Sequence, residues 1–377
     1  MHTILYCHHY TEISGGETSL LELWRNLDRS RFRPVLAGPK SGPFADAARE
    51  AGVEVRPVDY GRIRQVGTLA KSIRRLRSIA RKEGAAILHA SGPTTNIPAA
   101  LAARLSGLPV IWHARNLIVP GEFDLDRFLS PLASLIIANS DAIRERFRFG
   151  GRLGSKSMTI INGVDTARFH PSASGRAVRE KIGVGSGCIL AGVVGRISPA
   201  KGQQTFIEAA ASLAPRHPNL RFLIVGAGLF GEEKTHEDEL RRMVSERDLG
   251  EQIYFSGYHR DVVPLTAALD ICVIPSDAEP CGRVIFEAMA MSRPVVGTNT
   301  GGTPEIAVDG ETGILIPPRD AEALVSAIER LALDEGLRRR MGEAGRCRVE
   351  EKFTIQAHAR KTEAAYLRLL GGDDPNG

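Results

Sequence analysis

Ile189-Leu-Ala-Gly-Val-Val194-Gly195-Arg196-Ile-Ser-Pro-Ala-Lys201-Gly202-Gln-Gln204-Thr-Phe-Ile-Glu-Ala-Ala-Ala-Ser-Leu213 begins as an apolar, β-rich run, turns through a glycine-bounded loop and continues with apolar residues at helical spacing. A strand over 189–194 followed by a helix over 204–213 is the opening of a βαβ unit. The pattern continues downstream. Strands at Leu220–Val225, Ile253–Phe255, Ile271–Pro275 and Val295–Gly297 alternate with helices at Glu237–Glu246, Val262–Ala268, Val284–Met291 and Ala321–Leu331. Upstream, strands are expected at Thr3–Cys7, Pro34–Ala37, Val53–Val58, Ala86–His89, Val110–His113 and Leu135–Asn139. The helices between them fall at Thr18–Leu27, Phe44–Glu50, Thr68–Lys82, Ile97–Leu105 and Phe128–Leu132. Short β-rich runs alternating with longer helical patterns imply parallel sheets, so the sequence predicts an α/β protein of two doubly wound, Rossmann-like domains.

Arg168–Gly187, with Pro171, Ser172, Ser174 and Gly175, reads as the linker. This puts the first domain at 1–168 and the second at 169–353. In doubly wound sheets ligands sit beyond the carboxyl ends of the strands, and two such domains facing each other enclose a cleft. The tail Gly371–Gly377 reads as disordered.

The chain has 377 residues, 43% hydrophobic and 25% charged, enough for two cores of good size. Its start, MHTILYCHHY, reads as a strand rather than a signal peptide, and no apolar run approaches the ~18 residues of a membrane helix. Cys7, Cys188, Cys272, Cys281 and Cys347 are scattered, without CxxC spacing, which points to a reducing, cytoplasmic setting. Residues 1–168 hold 24 Lys and Arg against 15 Asp and Glu, a net of +9, while 169–377 hold 25 against 29, a net of −4. A basic N-terminal half suits phosphate groups, acidic glycans or an anionic membrane surface, and equally an ordinary solvated face.

Two stretches carry chemistry. In Glu279-Pro-Cys-Gly282-Arg283-Val284-Ile-Phe-Glu287-Ala-Met-Ala290, two carboxylates flank the start of a helix whose backbone N–H groups and positive dipole end suit a phosphate. Carboxylates also accept from vicinal diols, so sugars are natural ligands; alone, the stretch reads as two surface glutamates around a helix cap. Gly195–Gly202 sets Arg196 and Lys201 five residues apart beside a helix start, a pair able to hold a diphosphate and neutralise a departing one.

These stretches, with Gly301-Gly302-Thr-Pro-Glu305-Ile and Thr312-Gly313-Ile-Leu-Ile-Pro, resemble the C-terminal half of the glycosyltransferase family 4 enzymes. Asn162-Gly163-Val164-Asp165 and Ser14-Gly15-Gly16-Glu17 match the family's linker entry and first strand-to-helix loop, so the resemblance spans almost the whole chain. It implies the GT-B fold, two Rossmann-like domains facing across a cleft with a final helix, here 354–370, crossing back to the N-terminal domain. It implies that Arg196 and Lys201 bind the donor diphosphate, that Glu287 holds the ribose and Glu279 the transferred sugar, with Gly282, Arg283 and Val284 in the donor site. Gly15 and Gly16 would bring backbone close to phosphate, His113 would face the sugar, and Arg115 and Asn116 would contact the acceptor. One departure is Cys281, where an aromatic residue is usual.

The implied reaction is metal-independent transfer of a hexosyl or N-acetylhexosaminyl unit from a nucleotide diphosphate sugar, UDP before GDP, with retention of configuration. The acceptor hydroxyl would lie on a glycan or a lipid-linked carrier. No cofactor, metal or nucleic acid is implied. A peripheral contact with the inner face of a membrane would run through the basic helix Lys71–Lys82 and the stretch Arg144–Lys156, whose two phenylalanines look exposed, although an ordinary core-packing helix with a basic outside accounts for the pattern slightly better. A nucleotide-sugar epimerase on the same fold is the rival, and a non-catalytic binding protein ranks last.

Four further signals take structural readings. Gly226-Ala-Gly228-Leu-Phe-Gly231 fits the dinucleotide fingerprint but sits on the second strand-helix unit of its domain. Asp124-Leu-Asp126 has metal-binding spacing but precedes a helix and reads as its cap. Glu305 reads as a helix cap, and His8, His9 and His89 as structural histidines at strand ends.

Overall fold

A computed structural model describes all residues except 62–64, 119, 120, 122, 149–155, 229, 230 and 372–377. The chain forms two compact units: Met1–Gly163 together with Ile355–Gly377, and Val164–Thr354.

The first unit is built on seven parallel strands: β1 (His2–Cys7), β2 (Phe32–Gly38), β3 (Glu54–Pro57), β4 (Ala85–Ser91), β5 (Val110–Ala114), β6 (Leu135–Ala138) and β7 (Ser157–Thr159), in the order 3-2-1-4-5-6-7. Ile4, Leu5, Tyr6 and Cys7 are all fully buried, as expected for a strand whose two faces are both covered by helices. Leu5, Cys7, Leu88 and Trp112 point into one core. Ile4, Tyr6, Ile87 and Ile111 point into the other, beneath helix Gly15–Asn26 and the C-terminal helix Ile355–Leu369, which contributes Ala359, Tyr366 and Leu367. The last helix therefore belongs to the first unit's core. Helix Val66–Glu83 buries Leu76, Ile79 and Ala80 and leaves Arg74, Arg75, Arg77 and Arg81 exposed, the division its periodicity predicts.

The second unit has six parallel strands: β8 (Ile189–Val194), β9 (Leu220–Val225), β10 (Ile253–Gly257), β11 (Ile271–Ile274), β12 (Val295–Thr298) and β13 (Gly313–Ile316), in the order 10-9-8-11-12-13. Both sheets thus run outward from their first strand and then restart on its other side. The connections on either side of that strand leave in opposite directions, which opens a crevice between β1 and β4, and between β8 and β11.

Strands β7 and β13 and the short helices Asp141–Arg144 and Thr303–Ile306 go beyond the spans in the sequence reading, and three larger elements differ from it. The stretch read as a linker is docked: Phe169 is 1% exposed, residues Arg176–Lys181 are helical, and Arg179 donates to Asp270, to Ala268 O and to Cys188 O. The first unit accordingly ends at Gly163, where the expected domain ended at Arg168. Helix Gly231–Glu246 starts ahead of the expected Glu237, with Glu232 and Glu233 in its first turn complementing the helix dipole. Helix Glu335–Lys352 was not read at all, because only Leu337, Met341 and Val349 supply large apolar contacts among many charges.

Candidate functional site

In the second unit the loop after β8 and the loop after β11 meet at the crevice. Lys201 ends a short 3-10 turn, and its Nζ donates to Glu279 Oε1 at 2.6 Å. The Ser276 hydroxyl donates to the same oxygen at 2.6 Å. The Glu279 side chain is 9% exposed and that of Lys201 32%, so a nearly buried carboxylate meets a cation that still touches solvent. Backbone geometry enforces this meeting. Gly202 has φ +70°, and a Cβ there would lie 2.0 Å from Pro275 O. Gly301, at φ +59°, would place a Cβ 2.2 Å from Glu279 O, while Gly302 N donates to that same carbonyl at 2.7 Å. The two glycine-containing motifs hold the Lys201 and Glu279 backbones closer to their neighbours than any side chain allows.

Thr298 Oγ1 donates to Ser276 O at 2.7 Å and Thr300 Oγ1 to Asp277 O at 2.8 Å, fixing the loop that carries Glu279. Gly282 precedes helix Arg283–Ala290. A helix start leaves its first N–H groups outside the intrahelical ladder, so Arg283 and Val284 present donors beside Glu279. Glu287, in the second turn of that helix, is 6% exposed and accepts from Arg283 at 3.0 Å. Arg196 pairs with Glu233 at 3.1 Å and keeps 42% of its side chain exposed. The expected donor residues thus form three ion pairs around the β8–β11 crevice, with Ser276 and Glu233 as partners the sequence did not single out. Ser276 was readable, three residues before Glu279; Glu233 carried no signal beyond the acidic start of its helix.

Part of the fingerprint Gly226–Gly231 has a structural reason. Gly226, at φ +138°, would set a Cβ 1.9 Å from Gly195 O, and the Gly228 N–H donates to Glu237 Oε2 at 2.9 Å. Leu229 and Phe230 lie outside the described residues. Glu305 is the third residue of the helix Thr303–Ile306 rather than its cap, which is Gly302.

In the first unit, Gly15 and Gly16 are the opening residues of helix Gly15–Asn26 rather than a loop. Glu17 accepts from Ser14 N at 2.9 Å and from the Ser14 hydroxyl, and it pairs with His8 at 2.9 Å. Burial raises the Glu17 carboxyl, but the His8 and Ser14 hydrogen bonds outweigh it and hold the group at about 2. Arg115 spans from this helix start to β5: one guanidinium nitrogen donates to Gly16 O at 2.8 Å and the other to His113 Nδ1 at 3.1 Å. His113, fully buried, titrates well below the usual imidazole range because of burial and the adjacent Arg115. His89 is likewise buried, and desolvation with Arg115 nearby lowers it to about 3. Asn116 is exposed, and its carbonyl accepts from Arg146 at 2.5 Å. At other strand ends of this unit lies a cavity of about 410 Å³ lined by His9, Lys40, Asp59, Tyr60 and Thr94.

Of the two stretches read as a membrane surface, the second is partly buried or paired. Phe147 is 1% exposed rather than exposed, Arg146 pairs with Asp124 at 2.8 Å, and Arg148 with Glu145 at 2.7 Å. Phe149 falls outside the described residues. Asp124 caps helix Leu125–Leu129 by accepting from Arg127 N at 2.9 Å, as its position predicts. Among the described residues, no group of three or more His, Cys, Asp and Glu side chains could hold a metal, and no helix is long and apolar enough to cross a membrane.

Residues 13–168 match the family described as Glycosyltransferase Family 4, and residues 176–348 the one described as Glycosyl transferases group 1. The chain is 29% identical over 246 residues to the lipopolysaccharide core biosynthesis mannosyltransferase LpsB of Rhizobium meliloti, covering 65% of this chain and 68% of that protein. It is 32% identical over 236 residues to the mannosyltransferase LpcC of Rhizobium leguminosarum, covering 63% and 65%. The chain spans between 48% and 68% of the lengths of these and three further curated relatives. The crystal structure of Anabaena HepE in complex with UDP and glucose superimposes with a TM-score of 0.86 at 25% identity, covering 96% of this chain and 98% of that one. The two sheets, their shared strand order and these matches agree along the whole sequence: the chain belongs to glycosyltransferase family 4 and has the GT-B fold.

Proposed function

We propose that the protein transfers a hexosyl or N-acetylhexosaminyl unit from a nucleotide diphosphate sugar to a hydroxyl of a glycan or lipid-linked acceptor, with retention of configuration and without a metal. The observation that carries this reading is the cluster at the β8–β11 crevice, where Lys201 and Glu279 meet beside the start of helix Arg283–Ala290. Arg196 and Lys201 supply positive charge for a leaving diphosphate, the helix start supplies N–H donors, and Glu279 supplies acceptors for the sugar hydroxyls. Glu287 is the ribose acceptor, held by Arg283. In the first unit the start of helix Gly15–Asn26 offers N–H groups to phosphate, and His113 a ring nitrogen to the sugar.

Both carboxylate partners of the cations are side chains that substrate can displace. As diphosphate binds, Lys201 and Arg196 exchange Glu279 and Glu233 for phosphate oxygens, which releases Glu279 to accept from the sugar. Reaction then proceeds on one face of the sugar. The anomeric carbon gains oxocarbenium character, the cations hold the departing diphosphate, and a phosphate oxygen takes the acceptor proton. The cavity bounded by His9, Lys40, Asp59, Tyr60 and Thr94 suits a hydroxyl-rich acceptor.

UDP is favoured because HepE, at 25% identity, was crystallised with it; GDP-mannose is next because LpsB and LpcC are mannosyltransferases. An acceptor in surface-polysaccharide synthesis is favoured because LpsB and LpcC act in lipopolysaccharide core biosynthesis. The membrane contact is carried by the exposed arginines of helix Val66–Glu83. The deciding experiment is calorimetric titration with UDP and with GDP in excess EDTA, followed by transfer assays with the matching sugar donors. Base-selective binding without metal is expected. Binding of neither nucleotide, or binding abolished by EDTA, would overturn the reading; conversion of the donor without any acceptor would favour the epimerase.

A further inference from the structure

A buried polar chain runs through the first unit from β1 to His113. Tyr6 and Tyr366 hydroxyls lie 2.6 Å apart, Tyr366 Oη lies 2.8 Å from His89 Nδ1, and His89 Nε2 lies 3.1 Å from His113 Nδ1. All four side chains are fully buried. The rings are also locked in orientation. Tyr6 stacks on His89 at 4.9 Å and 26°, and His89 on His113 at 5.3 Å and 22°.

Donor and acceptor roles along this chain follow from one fixed end. Arg115 has only donors, and its guanidinium meets His113 Nδ1 at 3.1 Å. His113 Nδ1 is therefore bare, and in a neutral imidazole the proton sits on Nε2. His89 must then donate through its own Nε2 to the shared lone pair on His113 Nδ1, which leaves His89 Nδ1 bare. Tyr366 donates to that nitrogen and accepts from Tyr6. The single group left over is the Nε2–H of His113, a buried donor without a hydrogen-bond partner among the described residues. An unpaired buried donor is costly unless a ligand completes it.

We propose that Tyr366, on the C-terminal helix, and His89 are positioning residues that hold His113 in the Nε2–H tautomer, so that it donates to a hydroxyl of the transferred sugar. Arg115 sets the polarity of His113 from one end, and Tyr366, on the helix at the far end of the sequence, closes the chain at the other. The second half of this proposal rests on the placement of His113 at the donor sugar given above. Without the Tyr366 hydroxyl nothing donates to His89 Nδ1, and only the shared lone pair of His113 Nδ1 still favours the His89 proton on Nε2. A shift of that proton to Nδ1 would set two bare nitrogens against each other and weaken the hold on His113.

The test uses the full chain with 15N-labelled histidine and long-range proton–nitrogen correlation spectra, which report which ring nitrogen is protonated. Expected in the unmodified protein are Nε2–H tautomers at both His89 and His113. Tyr366→Phe should shift His89 toward Nδ1–H and lower kcat/KM for the donor about tenfold, the value of roughly one hydrogen bond. Tyr6→Phe, which removes only the first link, should leave both tautomers in place because Tyr366 still donates. An Nδ1–H His113 in the unmodified protein, or a His89 tautomer unchanged in Tyr366→Phe, overturns the relay. Equal losses in Tyr6→Phe and Tyr366→Phe with no tautomer change would reduce it to packing. If the tautomers behave as stated while His113→Gln retains full transfer, the sugar contact fails even though nucleotide binding persists.

Discussion

Lys201→Ala tests the site at its centre. The mutation removes the donor 2.6 Å from Glu279 Oε1 and leaves a carboxylate that is 9% exposed with Ser276 as its remaining side-chain hydrogen-bond partner among the described residues. Breaking a fully buried ion pair costs about 3–5 kcal/mol, whereas an exposed pair contributes at most about 1 kcal/mol. Lys201 retains about a third of its exposure, so the expected destabilisation lies between these limits, about 2 kcal/mol. Glu279→Ala should cost less, since the lysine it strands can turn into water. The double variant should be more stable than the sum of the single losses implies, with a coupling of about 1 kcal/mol or more. Urea unfolding of the four proteins by far-ultraviolet circular dichroism measures the cycle. The functional signature runs the other way: Lys201→Ala should weaken nucleotide diphosphate binding at least ~10-fold, while Glu279→Ala should leave that binding nearly intact and abolish transfer. A coupling within about 0.3 kcal/mol of zero, or normal turnover by Glu279→Ala, would refute the reasoning.

The glycines make a second test. Gly202→Ala and Gly301→Ala each force a left-handed backbone on an L-residue at about 1–2 kcal/mol, and each drives a Cβ into a carbonyl oxygen at 2.0 and 2.2 Å. Both should lower the urea midpoint and transfer activity together, whereas Gly250→Ala, whose Cβ meets nothing within 4 Å, should change neither. Stability should also fall in mild acid. His89, lowered to about 3, and His113, held well below the usual imidazole range by burial and Arg115, stay neutral when folded, but an unfolded histidine titrates near ~6.5. The unfolded chain therefore binds more protons below that pH. Stability is unaffected above pH ~6.5 and declines below it, with His89 alone contributing about 2 kcal/mol of the loss at pH ~5. His89→Phe should flatten the profile, and a slope unchanged in that variant would remove the assignment.

The fold was legible because βαβ units write themselves in two periods at once. The strands of buried sheets read as apolar runs, and the helices between them as amphipathic stretches. What escaped were elements whose packing does not depend on apolar periodicity. Helix Glu335–Lys352 is held at Arg346 and Arg348 by backbone carbonyls, including Ala290 O, Phe169 O and Ile306 O, and its sequence reads as a charged surface. The supposed linker is anchored by buried Phe169 and by Arg179, whose partners Ala268 O and Asp270 lie 89 and 91 residues away and whose others lie within its own loop. β13 is four residues long, too short to show alternation.

The site was half legible for a related reason. A group that binds substrate must be backed by groups that do not, and the backing side chains carry no motif of their own. Arg196, Lys201, Glu279 and Glu287 stand in recognisable surroundings because the glycines and prolines around them are dictated by tight backbone contacts. Ser276 only orients the Glu279 carboxylate, Thr298 and Thr300 only steady the loop, and many residue types could do so elsewhere. Tyr366 is the extreme case. It sits 277 positions from His89 in sequence, on a helix that shows only amphipathic spacing, and its hydroxyl has meaning solely through the imidazole beyond it. Position along a doubly wound sheet explains the asymmetry. Strand ends at the order reversal receive their chemistry from the immediately following loop, which is local and readable. The buried face behind them receives its chemistry from whichever helix covers that face. In this chain the covering helix is the last one, so the orientation of His113 is set by the residues most distant from it in the sequence.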